Sequence, residues 1–358
     1  MSGDVLDPHS LLEEMVRIPS PTGEEEPLGL WLAERLSSAG FAAERDRVGN
    51  VIATWGEGER ELLLLGHMDT APGALEVRRD GHRLHGRGAV DAKGPLAAAI
   101  CAVARQPQDA GGRRLTVIGA VEEEGSSKGA WHLVNRRAPE ELVVLEPSGW
   151  DAITVGYKGS MRLHYEIVQP AAHGAGPSPS AGDRAVGFIR RLQDHTAQVN
   201  VDRPIFERLD VRVLRFVSGS DGLEDRADVD IGLRLPVGCD IEGLRTRLKV
   251  WSDNAQLSWR GWEPPVRTDK NSRLARRFLG AIRQAGGAPR FKVKTGTSDM
   301  NVLVPIWRCP ALAYGPGNSS LDHTPDEAID LDEFSRGIDV LSAALEDGVA
   351  HSGEGPPR

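Results

Sequence analysis

The chain has little cysteine and no long apolar run. Its three cysteines, Cys101, Cys239 and Cys309, are scattered through 358 residues, show no metal-type pairing and cannot all pair with one another. A disulfide framework is therefore not what holds the fold together, and a reducing compartment is the expected setting. No stretch reaches bilayer-spanning length; the best, Pro95 to Ala104, is about half of that and reads as a buried helix. The amino terminus, Met-Ser-Gly-Asp-Val-Leu-Asp-Pro, lacks a basic region followed by an apolar core, so no secretory signal is expected and the reading is cytoplasmic, without a membrane partner. A formal net charge of −9 argues against a general nucleic-acid binder.

What is present is an ordinary globular composition, 40% apolar and 27% charged, in a chain long enough for one large domain or two ordinary ones. The organising stretch is Leu62 to Asp69, Leu-Leu-Leu-Leu-Gly-His-Met-Asp. Four leucines between Glu61 and Gly66 predict a short strand buried on both faces, as in the middle of a parallel sheet. Such a strand delivers His67 and Asp69 to the carboxyl edge, where open α/β sheets place their ligands. His67 is a candidate metal ligand, and Asp69 a candidate partner for its other ring nitrogen. Leu115 to Val121 predicts another buried strand ending in Glu122, Glu123 and Glu124, and Leu142 to Leu145 another ending in Glu146-Pro147. Asp91 stands between them, in Gly88-Ala-Val-Asp91-Ala-Lys-Gly94, ahead of an Ala-rich helix over Pro95 to Arg105. Acids after three buried strands, alongside a histidine, can meet in one cleft.

Around this centre, helical spacing appears over Ser10 to Arg17 and Glu24 to Ala39, with a capping-box-like start at Thr22, and strands over Phe41 to Arg45 and Asn50 to Thr54. Asp80-Gly81 turns a hairpin over Val77 to His85, whose His82 and His85 read as structural or exposed. From Val155 the texture changes to alternating strands (Met161 to Ile167, Val211 to Phe216, Ile231 to Leu235) and helices (Asp183 to Asp194, Ile241 to Val250). Strand, helix, strand, strand, helix, strand is the order of a small α+β sandwich. Trp262-Glu-Pro-Pro-Val-Arg reads as the return linker; helix Ser272 to Gln284, strands Arg290 to Val293 and Ala311 to Tyr314, and helix Glu333 to Leu345 follow. The second domain is thus expected to be inserted in the first: 1–156 and 264–350 the α/β domain, 157–263 the insertion, 351–358 a flexible tail.

Gly66-His67-Met-Asp69, Gly88 to Gly94, Glu122-Glu123-Glu124 with Gly129-Ala130, Leu145-Glu146-Pro147 and Leu321-Asp-His323-Thr-Pro stand in the order of the di-zinc amidohydrolases, a superfamily that includes glutamate carboxypeptidase, acetylornithine deacetylase and succinyl-diaminopimelate desuccinylase. The resemblance covers almost the whole chain. Gly86 to Gly94, Val155-Gly-Tyr-Lys-Gly159, Lys292 to Val302 and Tyr314 to His323 look most like the amino-group carrier protein lysine/ornithine hydrolases. It implies a zinc-aminopeptidase-like catalytic domain with a central, mostly parallel sheet, and an inserted, ferredoxin-like lid and dimerisation domain.

Carried over by residue, the resemblance implies two zinc ions, with cobalt as a substitute: His67 and Glu146 on one, Glu124 and His323 on the other, Asp91 bridging. It makes Glu123 the general base, Asp69 a catalytic residue beside His67, and His173 the donor to the oxyanion. Where the family has Asp-Glu-Glu this chain has Glu-Glu-Glu, and the spacing to Gly129 favours Glu123 as base and Glu124 as ligand. Arg234 would grip a substrate carboxylate; Lys294, Thr297, Ser298 and Asp299, in a Gly/Thr/Ser-rich loop, would line the pocket, with Asp299 facing an ammonium. The implied reaction is release of lysine or ornithine from a small acidic carrier protein by a homodimer, and Arg267, Lys270, Arg273, Arg276, Arg277, Lys292 and Lys294 are the candidate basic rim for that carrier. A small N-acyl amino acid deacylase or dipeptidase would share every metal residue. A non-catalytic binding module would have no chemical reason to keep an ionised cluster together.

Overall fold

Leu62, Leu63, Leu64 and Leu65 are each 0% exposed, and their strand, Arg60–His67, lies between two parallel neighbours, Arg113–Ala120 and Glu141–Val144. The computed structural model describes residues 6–346, so the tail from His351 lies outside the described residues. The chain divides into two units, Met1–Val155 with Thr268–Lys292 and Val302–Arg358, and Gly156–Arg267 with Val293–Asn301.

In the first unit the strand order is Ala42–Arg45, Val51–Trp55, Arg113–Ala120, Arg60–His67, Glu141–Val144, Ala311–Ala313 and Ala152–Tyr157, the last of which runs past the end of that unit's first segment at Val155. The strands from Arg113–Ala120 to Ala311–Ala313 run parallel, and their outer neighbours antiparallel. Register fixes the site: His67 pairs with Ala120 and Leu65 with Val144, so the residues that follow all three strands emerge at one edge. The helix Lys93–Ala104 is apolar all round, and every residue through Val103 is buried, as its composition predicts. It packs between the sheet and the helices Pro8–Arg17 and Leu331–Leu345, and Arg273–Gln284 packs on the last of these. The Asp80-Gly81 hairpin joins Arg78–Asp80 to Arg83–His85.

The elements that sequence periodicity misses are short: Lys128–Leu133, Ala152–Tyr157, Ala328–Asp330, and Met300–Trp307 with Pro305 inside it. The capping box expected at Thr22 is absent. The second helix is Glu26–Ser38, its N-cap Glu25 makes no side-chain cap bond, and the Thr22 hydroxyl has another partner, described below.

In the second unit, Gly159–Pro170, Ala181–Val199, Asp210–Ser220, Glu224–Leu235, Ile241–Trp251 and Gln256–Glu263 follow the expected strand, helix, strand, strand, helix, strand order. The four strands form an antiparallel sheet in the order Asp210–Ser220, Glu224–Leu235, Gly159–Pro170, Gln256–Glu263, the ferredoxin-like arrangement. Alternation puts Met161, Leu163, Tyr165 and Ile167 on the buried face with Phe188 and Leu192 of the first helix and Leu244 and Leu248 of the second. The last strand runs through Trp262 and Glu263, shortening the expected linker.

Leu64→Ala removes a fully buried side chain from the central strand and is expected to lower the unfolding free energy by about 2–5 kcal/mol. Urea unfolding followed by circular dichroism checks this; an unchanged midpoint would contradict the strand's central place.

Candidate metal centre

His67 ends the central strand with its side chain 2% exposed. Its Nδ1 lies 2.9 Å from the main-chain oxygen of Asp69. A carbonyl oxygen only accepts, so Nδ1 carries a proton, and Nε2 faces outward, 3.3 Å from Asp91 Oδ1 and 3.9 Å from Glu146 Oε1. The Asp69 carboxylate, the expected partner, also faces Nδ1, at 3.5 Å. That carboxylate is engaged elsewhere. Its oxygens accept the Glu123 and Glu124 amides, each at 3.0 Å, and the Thr22 hydroxyl at 2.9 Å, tying the acidic loop to the leucine strand.

His323 Nε2 lies 3.1 Å from Asp91 Oδ2 and 2.6 Å from Glu124 Oε1. The two oxygens of Asp91 therefore face two histidines from opposite ends of the sequence. His67, Asp91 and Glu146 form one group, and Asp91, Glu124 and His323 another; within each, the potential ligand atoms lie within 4.8 Å of one another. Nitrogen and oxygen donors around a tetrahedral ion sit roughly 3.3 Å apart, which the 3.3 and 3.1 Å separations to Asp91 match. Glu146 stands farther off at 3.9 Å, and the 2.6 Å contact is a hydrogen bond. The donor set, imidazole and carboxylate without thiolate, suits zinc and similar borderline divalent ions.

Electrostatics point the same way. Asp91 and Glu124 push the His323 imidazole up to about 10. Burial opposes charge on His67, yet Asp69, Asp91 and Glu123 more than offset it and raise its pKa well above the ordinary value. Each imidazole thus holds a proton where a metal would otherwise balance the carboxylates.

The loops that carry these groups are held in uncommon backbone. Glu122 and His323 both have positive φ, 59° and 61°, in a region non-glycine residues seldom occupy. Gly129 has no room for a side chain, since a Cβ there would lie 2.4 Å from Asn50 Oδ1 and 2.7 Å from the Val121 nitrogen. Glu122 turns aside to Ser126 and Lys128, at 2.6 and 3.0 Å. Of the three consecutive glutamates, it is Glu124 that meets His323.

His173, Arg234, Lys294, Thr297, Ser298 and Asp299 belong to the second unit. His173 is exposed, and its Nδ1 accepts the Ala175 amide at 3.2 Å, which leaves Nε2–H as a donor. Arg234 donates to the Thr297 hydroxyl at 3.4 Å, and the Lys294 ammonium stands over the Tyr157 ring. Ser298 and Asp299 are buried, and the Ser298 hydroxyl accepts the Met300 amide. Of the candidate basic rim, Arg277 is half-buried and committed to Glu141 at 2.7 Å, so it is not a rim residue. A third cluster, His164 with Asp228 and Asp230, already has the Arg215 guanidinium against its carboxylates.

Sequence reasoning passes over two residues that hold the site, Arg87 and Glu327, and assigns a third, Thr22, to a helix cap. Glu327 is 1% exposed and accepts the amides of Gly88, Val90 and Asp91. Its only sequence signal is its place four residues after His323.

Residues 63–347 match the model of peptidase family M20/M25/M40. The chain is 41% identical over 344 residues to a [LysW]-lysine hydrolase of Deinococcus radiodurans, covering 94% of this chain and 95% of that one. It is 38% identical over 340 residues to a putative [LysW]-lysine/[LysW]-ornithine hydrolase of Pyrococcus abyssi, covering 93% and 92%. Its fold superposes on that of the Bacillus subtilis YXEP protein, described as a dinuclear metal binding peptidase, with a TM-score of 0.73 at 12% identity, covering 94% and 96%.

The raised His323 pKa sets a pH dependence for metal-free protein. A histidine whose folded value lies above its unfolded value near 6.5 adds stability that is complete below about 6.5 and disappears as pH rises through about 10. Metal-free protein is expected to lose thermal stability between about pH 7 and 10, and zinc-loaded protein to lose less, because metal replaces the proton. Melting curves with and without zinc check this; parallel pH profiles would contradict it.

Proposed function

The chain belongs to peptidase family M20/M25/M40, and on that premise we propose that it is a di-zinc amide hydrolase releasing lysine, ornithine or both from the carboxyl-terminal glutamate of an amino-group carrier protein. The observation that carries the chemistry is the meeting of two ligand groups on Asp91. The substrate rests on the names of relatives that match over nearly their whole length.

His67 and Glu146 would hold one ion, Glu124 and His323 the other, and Asp91 would be a ligand to both. When bound, the ions supply Lewis acidity toward the scissile carbonyl and the attacking water. Glu123 takes the proton from that water and delivers it to the departing α-amino group. Asp69 fixes the His67 tautomer through its main-chain oxygen and keeps Glu123 and Glu124 in register through its carboxylate. His173 donates from Nε2 to the developing oxyanion. Arg234 takes a substrate carboxylate, where a planar fork suits better than an ammonium. Thr297 and Asp299, with Lys294 and Ser298 beside them, complete the substrate side, Asp299 as the partner of an ammonium.

Zinc is the metal this donor set favours, and cobalt its natural substitute. We place the enzyme in the cytoplasm, as a homodimer associating through the second unit. The edge strand Asp210–Ser220 supports self-association, since it exposes Val213, Leu214, Phe216 and Val217 beside unpaired backbone.

Zinc-loaded protein is expected to release amino acid from carrier-linked lysine or ornithine, and Glu123→Ala to lower kcat by about 10²–10⁴-fold with KM little changed. Amino-acid analysis of the two carrier substrates and acetylornithine decides. Activity confined to acetylornithine would replace the carrier with a small N-acyl amino acid.

A further inference from the structure

We propose that Arg87 and Glu327 are a positioning pair that sets the directions of Asp91 and His323. The inference rests on reading those two residues as metal ligands. Glu327 is 1% exposed, and one of its oxygens accepts three amides from the loop that delivers Asp91: Gly88 and Val90 at 3.0 Å and Asp91 itself at 3.2 Å. Its other oxygen accepts from Arg87 at 2.8 Å. The Glu327 main-chain oxygen also accepts the Gly86 amide at 3.2 Å. The loop is thus wound around one side chain, and the orientation of the Asp91 backbone follows from where that side chain sits.

Arg87 extends the clamp to two further segments. Its Nε donates to the Gly73 carbonyl at 3.0 Å, four residues beyond Asp69, and its Nη1 donates to the Thr324 carbonyl at 3.2 Å, next to His323. His323 has the positive φ of 61° noted above, a conformation that persists only where surroundings enforce it. The hold on Thr324 supplies such enforcement. The loop is shaped for the purpose: a Cβ at Gly86 would lie 2.4 Å from Val16 Cγ1, and one at Gly88 2.7 Å from Thr70 Cγ2, with φ of 153° and 85°. Gly-Arg-Gly therefore packs against its neighbours while delivering a single cation.

A buried ion pair by itself is weak evidence for stability. This one touches no ligand side chain, yet it binds the backbone at Asp91 and beside His323, two groups that must keep a fixed separation to share ions. Sequence places Glu327 only four residues after His323, so one short segment supplies a ligand and the brace for the residue it faces.

The test is metal binding by Glu327→Gln in the full chain. Cobalt titration, read by calorimetry and by the visible absorption spectrum, is compared with kcat, KM and far-ultraviolet circular dichroism. Folded Glu327→Gln is expected to bind cobalt roughly 10–100-fold more weakly, with an altered spectrum, and to lose kcat on a similar scale while KM stays within about twofold. Should this variant not fold, Arg87→Lys carries the test by the same readings, since it keeps a cation near Glu327 and gives up the fork that joins Gly73 and Thr324. A folded variant with the parent's cobalt affinity, spectrum and kcat would overturn the proposal. Parent protein that binds no divalent metal would overturn instead the reading of Asp91 and His323 as ligands.

Discussion

Asp91 presents Oδ1 to His67 at 3.3 Å and Oδ2 to His323 at 3.1 Å, and the rest of the first unit is arranged to keep it there. One histidine ends the central strand; the other lies 256 residues later in a loop with left-handed backbone. A carboxylate can serve two such partners only if both its own backbone and theirs are fixed. The parallel sheet does half of this, because register brings the ends of Arg60–His67, Arg113–Ala120 and Glu141–Val144 to one edge. The buried leucines on that strand matter to the chemistry through this register.

The other half is done by carboxylates outside the proposed ligand set. Asp69 accepts the amides of Glu123 and Glu124, Glu327 those of Gly88, Val90 and Asp91, and Glu333 those of Trp150 and Gly317. Each ligand-bearing loop is thus anchored by an acid whose charge is spread over backbone dipoles. The arrangement gathers negative charge in a small, poorly hydrated volume, where Coulomb repulsion is least screened. Main-chain donors and Arg87 offset part of it, and protons on His67 and His323 another part. The proposed pair of divalent cations would offset the remainder and displace those protons, which would couple folding, metal binding and pH.

The strand-end acids were legible because a run of buried residues followed by a charge is a local pattern. The alternation in Met161 to Ile167 gave the buried face of the second sheet for the same reason. His323 was legible only through family resemblance: it follows no strand, and its position depends on a positive φ that composition does not signal. Thr22 looked like a helix cap because Thr followed by acids is a capping pattern, yet its hydroxyl answers to Asp69, 47 residues away. Arg87 and Glu327 act through backbone amides of distant loops, and no local spacing records such contacts. Met300–Trp307 escaped because Pro305 and the preceding Gly/Thr/Ser run read as loop.

The most direct test of a shared Asp91 is the number and affinity of divalent ions bound by Asp91→Ala, measured by calorimetric zinc titration of folded, metal-free protein. The parent is expected to bind two ions per chain, and the variant to weaken both, because each loses a ligand. A variant that keeps one of the two sites at the parent's affinity would show that Asp91 serves a single ion, and would contradict the account.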